Sequence, residues 1–150
     1  MMTSLQRVSL ALGLGVTSCT ALKPPPSPTL RVVYFEIPVR NLDRAIAFYS
    51  KTFGVTLERQ TIDGHAMALF PDDGRSEGAT GALAHGESYE PSKKGTRVYF
   101  ATPDLDATLR RALHAGARLL YPKTDLGSLG YVAEVEDSEG NRIALHMKKP

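Results

Sequence analysis

The sequence predicts an α+β fold made of two βαβββ modules, because one strand–helix pattern occurs twice. The segments Val33–Phe35 and Val98–Phe100 each open an apolar strand, and the tyrosines at their centres are 65 residues apart. A short polar turn follows each strand, and a helical stretch then runs to a glycine, Gly54 or Gly116. This spacing indicates an internal duplication. Two such copies commonly form a ligand cleft between them, so we expect a central cleft.

Composition limits the classes of protein that the chain can belong to. It has 150 residues, of which 42% are hydrophobic and 23% charged, as is usual for one globular domain. The net charge is +2 and the charges of both signs are interspersed, so the sequence lacks the concentrated basic face of a nucleic-acid-binding protein. No apolar run is long enough to span a bilayer.

The N-terminal 29 residues differ from the rest of the chain. Val8–Val16 is a short apolar run typical of a signal-peptide core, and Val16–Cys19 resembles the lipobox of bacterial lipoproteins. We therefore expect residues 1–18 to be a lipoprotein-type signal peptide and Cys19 to be lipidated; the alternative is an incidental cysteine in an uncleaved leader. Thr20 rather than Asp follows Cys19, which by analogy with Gram-negative sorting favours anchoring at the outer membrane, on the periplasmic side of the bacterial envelope.

A proline-rich tether, residues 19–29, is expected to join this anchor to the domain. Its Lys23–Pro28 segment favours extended polyproline II and excludes helix and sheet. The folded domain is then predicted over residues 30–150, with modules at about 30–90 and 95–147. Cys19 is the single cysteine of the chain, so an internal disulfide and a cysteine-cluster metal site are both excluded.

The first module is predicted from β-forming runs, a helix cap and a hairpin turn. Asn41 is a good N-cap, and the apolar residues behind it recur at helical spacing up to Gly54, which suits a left-handed helix end. Asp63-Gly64 predicts a hairpin turn. The predicted strands are Leu30–Val39, Val55–Ile62, Ala66–Phe70 and Gly78–Gly86.

The second module repeats this order. Asp104 is the predicted N-cap of a helix that ends at Gly116. The predicted strands are Arg97–Ala101, Arg118–Tyr121, Tyr131–Glu136 and Arg142–Met147. The total is eight strands and two helices, with the helices segregated from mostly antiparallel strands, which is the α+β class.

Two segments of this pattern resemble the vicinal oxygen chelate superfamily, which includes glyoxalase I, bleomycin- and fosfomycin-resistance proteins and extradiol dioxygenases. Asn41–Tyr49 with Gly54 is similar to the first helix of that superfamily, and Asp137–Ile143 is similar to its final hairpin. Val33–Val39 and Pro122–Thr124 are most similar to its glyoxalase-related subgroup. The resemblance extends from residue 30 to residue 147 and implies two modules whose sheets curve around a shared cleft.

The resemblance also implies a divalent metal held by His or Glu side chains on the first and last strands of each module. The corresponding positions here are Tyr34, Tyr99, Ala144 and the segment Gly81–Leu83, and none of them carries a carboxylate or an imidazole. Metal sites built from nitrogen and oxygen ligands need three or four such donors. We therefore expect no divalent metal and no other cofactor; the alternative is a displaced site of Glu36, His85 and His146.

Strand alternation predicts which side chains line the cleft instead. They comprise two tyrosines, one glutamate, two arginines and one histidine, which suit an organic ligand with aromatic and polar parts. The alternative is that the tyrosines fill a collapsed cleft and that the histidine is a strand-end residue. Glu36 needs a partner, which Arg97, Arg142 or a ligand could supply. The full predicted set is Tyr34, Glu36, Arg97, Tyr99, Arg142 and His146.

These residues leave three functional hypotheses open. The first is a lipid-anchored protein that binds a small organic molecule in the cleft without metal. The second is an enzyme related to lactoylglutathione lyase, a lyase or isomerase that uses displaced metal ligands or metal-free acid/base chemistry, with Glu36 and His146 as the catalytic candidates. The third is a non-catalytic interaction module of the envelope. The resemblance also allows a homodimer.

Overall fold

A computed structural model of the protein describes residue 30 and residues 32–75 and 78–149. The predicted signal peptide, Cys19 and the tether lie outside these described residues. Across the described part of the chain, each helix is too short and too polar to cross a membrane.

Two four-stranded sheets, each with one helix, confirm the predicted pair of βαβββ modules. In sheet A the strand order is β1-β4-β3-β2, and in sheet B it is β5-β8-β7-β6, so the modules share one topology. Each sheet has one parallel pair and two antiparallel pairs. The first module comprises β1 (Tyr34–Pro38), α1 (Leu42–Phe53), β2 (Glu58–Ile62), β3 (His65–Leu69) and β4 (Thr80–His85). The second comprises β5 (Tyr99–Ala101), α2 (Leu105–His114), β6 (Arg118–Asp125), β7 (Tyr131–Glu136) and β8 (Arg142–Met147).

Both predicted helix caps are present. The Asn41 side chain accepts a hydrogen bond from the Arg44 amide at 2.8 Å, and the Asp104 side chain accepts one from the Ala107 amide at 2.9 Å. Gly54 ends α1 in the left-handed conformation, with φ of +71°.

Several strand ends differ from the prediction. The first strand begins at Tyr34 rather than at Leu30. Val32 and Val33 are β-forming residues, but they lie outside the sheet and are largely exposed. At the other extreme, β6 continues past Tyr121 to Asp125 and includes Pro122. An edge strand tolerates this proline, because the side without a partner strand needs no amide donor.

One core is shared by both helices and by the helix-facing sides of both sheets. Its centre is a group of contacting aromatic rings, in which Phe100 of β5 lies 4.7 Å from Phe53 and 5.9 Å from Phe35 of β1 between ring centroids. The ring contacts therefore join the two modules across the edges of β1 and β5. The largest fully buried side chains of this core are Phe48, Tyr49, Leu83, Val39, Val135 and Ile143.

The hairpin turn between β7 and β8 fastens the second module onto α1. The buried Glu139 carboxylate accepts hydrogen bonds from the Arg40 and Asn41 amides at 3.1 and 3.0 Å and pairs with Arg44 at 2.8 Å. These donors occupy the N-terminus of α1, where negative charge is favourable. Burial raises the pKa of Glu139, but the hydrogen bonds from Arg44 and Asn41 outweigh it and hold the pKa below its usual 4.5.

A second carboxylate of the same turn, that of Asp137, accepts four hydrogen bonds. Asp137 accepts a hydrogen bond from the Tyr49 hydroxyl at 2.7 Å, and both groups are buried. It also accepts from the Glu139 amide and from the Asn141 amide and side chain. Burial first, and the neighbouring Asp137 second, raise the pKa of the Tyr49 phenol well above 10.

Candidate functional site

The open face of sheet A carries Tyr34 and Glu36, and Glu36 finds its partner within the same module. The Tyr89 hydroxyl donates to the Glu36 carboxylate at 2.8 Å. This hydrogen bond is the first cause of the raised pKa of the Tyr89 phenol, since it favours the neutral donor. His65 of β3 is half-buried. Its ring lies edge-on to that of Tyr89, with ring centroids 5.3 Å apart.

The open face of sheet B carries an acidic residue that sequence reasoning missed. Glu134 is buried on β7 and pairs with Arg97 at 2.8 Å and also with Arg142. The two arginines were possible partners of Glu36, and in the structure they bind Glu134 instead. The signal was available in the sequence, since Glu134 alternates with buried apolar residues along β7.

Two further predicted residues lie on sheet B. Tyr99 is half exposed and pairs in register with Ala144 of β8, and His146 follows two positions along that strand. The His146 Nε2 atom lies 2.6 Å from the Leu129 carbonyl oxygen. Because a carbonyl oxygen only accepts hydrogen bonds, the Nε2–H group is the donor. This contact matches the strand-end alternative for His146.

The strand register identifies which residues occupy the four positions that correspond to the family's metal ligands. Ala144 pairs with Tyr99, and the equivalent partner of Tyr34 in sheet A is Thr80 rather than the predicted Gly81–Leu83 segment. The available donors are thus two phenols and one hydroxyl, which do not fit a divalent metal that needs imidazole or carboxylate ligands. In the described part of the chain, no three His, Cys, Asp or Glu side chains are grouped closely enough to hold a metal ion.

One cavity lies between the modules, along the edge of β5. Its volume is about 490 Å³, and it is bounded by β5, by the N-terminal end of β4 and by α2. Five aromatic and five polar residues line it, together with smaller apolar residues such as Ala79. The aromatic residues are Phe35, Phe53, Phe70, Tyr99 and Phe100; the polar ones are Asp72, Thr80, Thr102, Thr108 and Arg111. We refer to it below as the β5 cavity.

A smaller cavity of about 260 Å³ lies toward the other end of β1. Glu36 and Arg142 line it, together with Asn141 of the hairpin turn. The structure thus distributes the predicted cleft residues among several places. Tyr99 lines the β5 cavity, Glu36 and Arg142 line the smaller one, and Tyr34, Arg97 and His146 line neither.

Arg111 is a further cavity residue that the sequence did not single out. Its Nε donates to the Thr52 carbonyl oxygen and its Nη2 to the Thr108 hydroxyl, both at 2.8 Å. The contact with Thr52 ties α2 to the last turn of α1. An arginine on an amphipathic helix is usually a solvated surface residue, so its sequence gave no local signal of this position.

Comparisons with known proteins agree with this architecture. Residues 31–145 match the sequence model of the Glyoxalase/Bleomycin resistance protein/Dioxygenase superfamily, and the chain belongs to that superfamily. The chain is also 32% identical over 117 residues to a glyoxylase-like domain-containing protein from Didymella fabae, a match that covers 73% of this chain and 88% of the relative.

Solved structures show the same fold. TnmS3, an antibiotic binding protein from Streptomyces sp. CB03234, aligns with a TM-score of 0.59 and 25% identity over 81% of this chain and 98% of its own. A glyoxalase/bleomycin resistance protein/dioxygenase family enzyme from Burkholderia phytofirmans PsJN aligns with a TM-score of 0.62 and 19% identity, over 80% of this chain and 100% of its own. At that identity the second likeness concerns the fold alone.

Proposed function

We propose that the protein binds a small organic molecule in the β5 cavity and does so without the divalent metal of its family. The observation that carries the proposal is the aromatic lining of a cavity of about 490 Å³. Sites for small molecules have volumes of roughly 300–1,000 Å³ and combine apolar walls with a few polar groups. Aromatic rings on several sides favour a ligand with a flat, apolar body.

Two further observations support this proposal. The four ligand positions of the family carry Tyr34, Tyr99, Thr80 and Ala144, which offer no imidazole or carboxylate. One structural relative is an antibiotic binding protein, so the binding of a small molecule has a precedent in this fold. Of the residues predicted from strand alternation, Tyr99 is the one that we assign to the β5 cavity.

The test is binding of a neutral aromatic probe, 2-naphthamide, to the full-length protein by ligand-observed NMR or calorimetry. Ala79 lines the cavity and is half-buried, so Ala79→Phe should fill it and weaken binding by about tenfold or more. Ala47 is exposed on α1 and does not line the cavity, so Ala47→Phe is the matched control and should bind as the wild type does. Equal affinities in all three proteins would refute the proposal. It would also be refuted if the wild type bound neither this amide nor 2-naphthoate, the carboxylate with the same ring system.

One observation favours a second candidate function. The hydrogen bond between Tyr89 and Glu36 places a phenol and a carboxylate together on the open face of sheet A, and such a pair can transfer protons without metal. If the protein is an enzyme of this kind, Glu36→Gln should abolish turnover and leave ligand binding in the β5 cavity unchanged. If the Glu36→Gln variant turns over substrate at the wild-type rate, this second candidate function is wrong.

We further propose that Cys19 carries a lipid anchor in a bacterial envelope and that the domain forms a homodimer. The first rests on the apolar run before Cys19, and the second on the family alone. Mass spectrometry of the membrane fraction tests the anchor, since Cys19→Ser should lose both the acyl mass and membrane retention. Analytical ultracentrifugation tests the dimer.

A further inference from the structure

We propose that the β5 cavity selects organic anions and that Arg111 holds the anionic group of the ligand. This inference rests on the proposed function and adds to it the chemical class of the ligand. It assigns a role to a residue of α2 that lies outside the positions at which the family's metal ligands occur.

The guanidinium of Arg111 is held in place at the wall of the cavity. Its Nε and Nη2 atoms are fixed by the Thr52 carbonyl and the Thr108 hydroxyl, while Nη1 has no hydrogen-bond partner among the described residues. A guanidinium that is already oriented loses less conformational entropy when it binds a carboxylate. Phe53 and Phe100 line the same cavity, so an aromatic body could lie against them while its anionic group reaches Arg111.

The charge of Arg111 is not neutralised by a neighbour within the described residues. Three other arginines each bind a buried carboxylate. Arg44 pairs with Glu139, and both Arg97 and Arg142 pair with Glu134. Arg111 has hydrogen bonds to neutral oxygens only. Arg111 is exposed, but its oriented guanidinium lines the cavity, and a charge-assisted hydrogen bond to a carboxylate is stronger than one between neutral groups.

The repeat makes the placement of this charge informative. Arg111 is the seventh residue after the N-cap of α2, and its counterpart in α1 is Phe48, which is fully buried in the core. At the position where the first module has a core phenylalanine, the second module thus has a cation that lines a cavity.

One acidic residue also lines the cavity, from the opposite module. Asp72 accepts a hydrogen bond from the Gly74 amide at 2.9 Å and forms no ion pair with Arg111 within 4.0 Å. It should repel a second negative charge, so we expect ligands with a single anionic group. Asp72→Asn keeps the acceptor for Gly74 and removes the charge, and should therefore strengthen anion binding.

Arg111 could instead serve only to join α2 to α1, so the test needs a measurement that such a role would not change. We would compare 2-naphthoate with 2-naphthamide, which have the same ring system and differ in charge. The wild type should prefer the naphthoate by about tenfold, the gain expected from one charge-assisted hydrogen bond. Arg111→Met should lose this preference but still bind the amide, and Arg111→Lys should retain part of it.

The control is Arg110→Met, which removes an exposed charge from the neighbouring position of α2 and should leave the preference unchanged. Asp72→Asn should increase the preference. If the wild type shows no preference, or if Arg111→Met retains it, the assignment of Arg111 is wrong while the proposed function stands. If neither probe binds the wild type, both the proposed function and this inference fail.

Discussion

The two modules share one topology but differ in the loop between their third and fourth strands. This loop binds α1 in the second module and lines the β5 cavity in the first. In the second module, residues 137–141 form a tight turn whose carboxylates bind the N-terminus of α1 and the Tyr49 hydroxyl. In the first module, residues 70–79 form the longer connection, and Phe70, Asp72 and Ala79 of this connection line the β5 cavity. One copy of the repeat thus locks the modules together, and the other leaves space beside them.

Single positions of the helices account for much of this difference. The eighth residue after the N-cap is Tyr49 in α1 and Ala112 in α2, and both are completely buried. The large ring of Tyr49 fills the space under the second module's turn and is bound there by Asp137. Ala112 has no side chain that could fill the corresponding space or bind a turn. The comparison teaches that a duplicated fold can keep its topology while only one copy keeps an internal contact.

The largest expected effect comes from breaking the lock itself. Asp137→Ala should destabilise the protein by about 3 kcal/mol or more, because it leaves the buried Tyr49 hydroxyl and several amide donors without an acceptor. Urea denaturation followed by circular dichroism measures this change. The control is Asp106→Ala, which removes an exposed ion pair with Lys123 and should cost less than about 1 kcal/mol. Equal losses in the two variants would show that the turn does not lock the modules.

A medium effect, with a characteristic pH dependence, is expected for Glu139. Its pKa is lower in the folded protein than its usual 4.5, so its stabilising effect is complete above that pH and is lost as the pH falls through the folded-state pKa. Glu139→Gln should therefore cost about 2 kcal/mol at pH 7 and flatten the loss of stability below pH 4.5. Denaturation curves of both proteins between pH 3 and 7 make the comparison. Parallel pH profiles would mean that other carboxylates account for the acid sensitivity.

The smallest effect on stability is expected for Arg111, at the wall of the β5 cavity. Arg111 is exposed, so Arg111→Met should change the free energy of unfolding by less than about 1 kcal/mol, since water can replace its hydrogen bonds. The same urea measurement applies. A loss as large as that of Asp137→Ala would show that the contact of Arg111 with α1 holds the modules together as firmly as the turn at residues 137–141 does.

The repeat itself could be predicted because its signals are local. The N-caps Asn41 and Asp104, the Asp63-Gly64 turn and the β-forming runs depend on nearby residues, and the structure confirms these elements. The resemblance to the superfamily rested on α1 and the last hairpin, and the match over residues 31–145 confirms it.

The site was harder to predict, because it depends on contacts between distant parts of the chain. Which carboxylate pairs with Arg97 is decided by how β5 and β7 are each paired with β8, which brings Glu134 within 2.8 Å. The β5 cavity is formed by a loop of one module and by a strand and a helix of the other, which are distant in the sequence. A binding cleft shared by the predicted set stays a prediction; the set is Tyr34, Glu36, Arg97, Tyr99, Arg142 and His146.

The lock at residues 137–141 has a consequence for how the protein could diversify. Because these residues and α1 hold the modules together, substitutions in the loop after Phe70, whose ring packs against Phe100, leave that contact intact. A lineage could therefore lengthen, shorten or recharge this loop and change the molecule it recognises, while the fold keeps its cooperativity. In such a repeat, one half preserves the architecture and the other is free to acquire new chemistry.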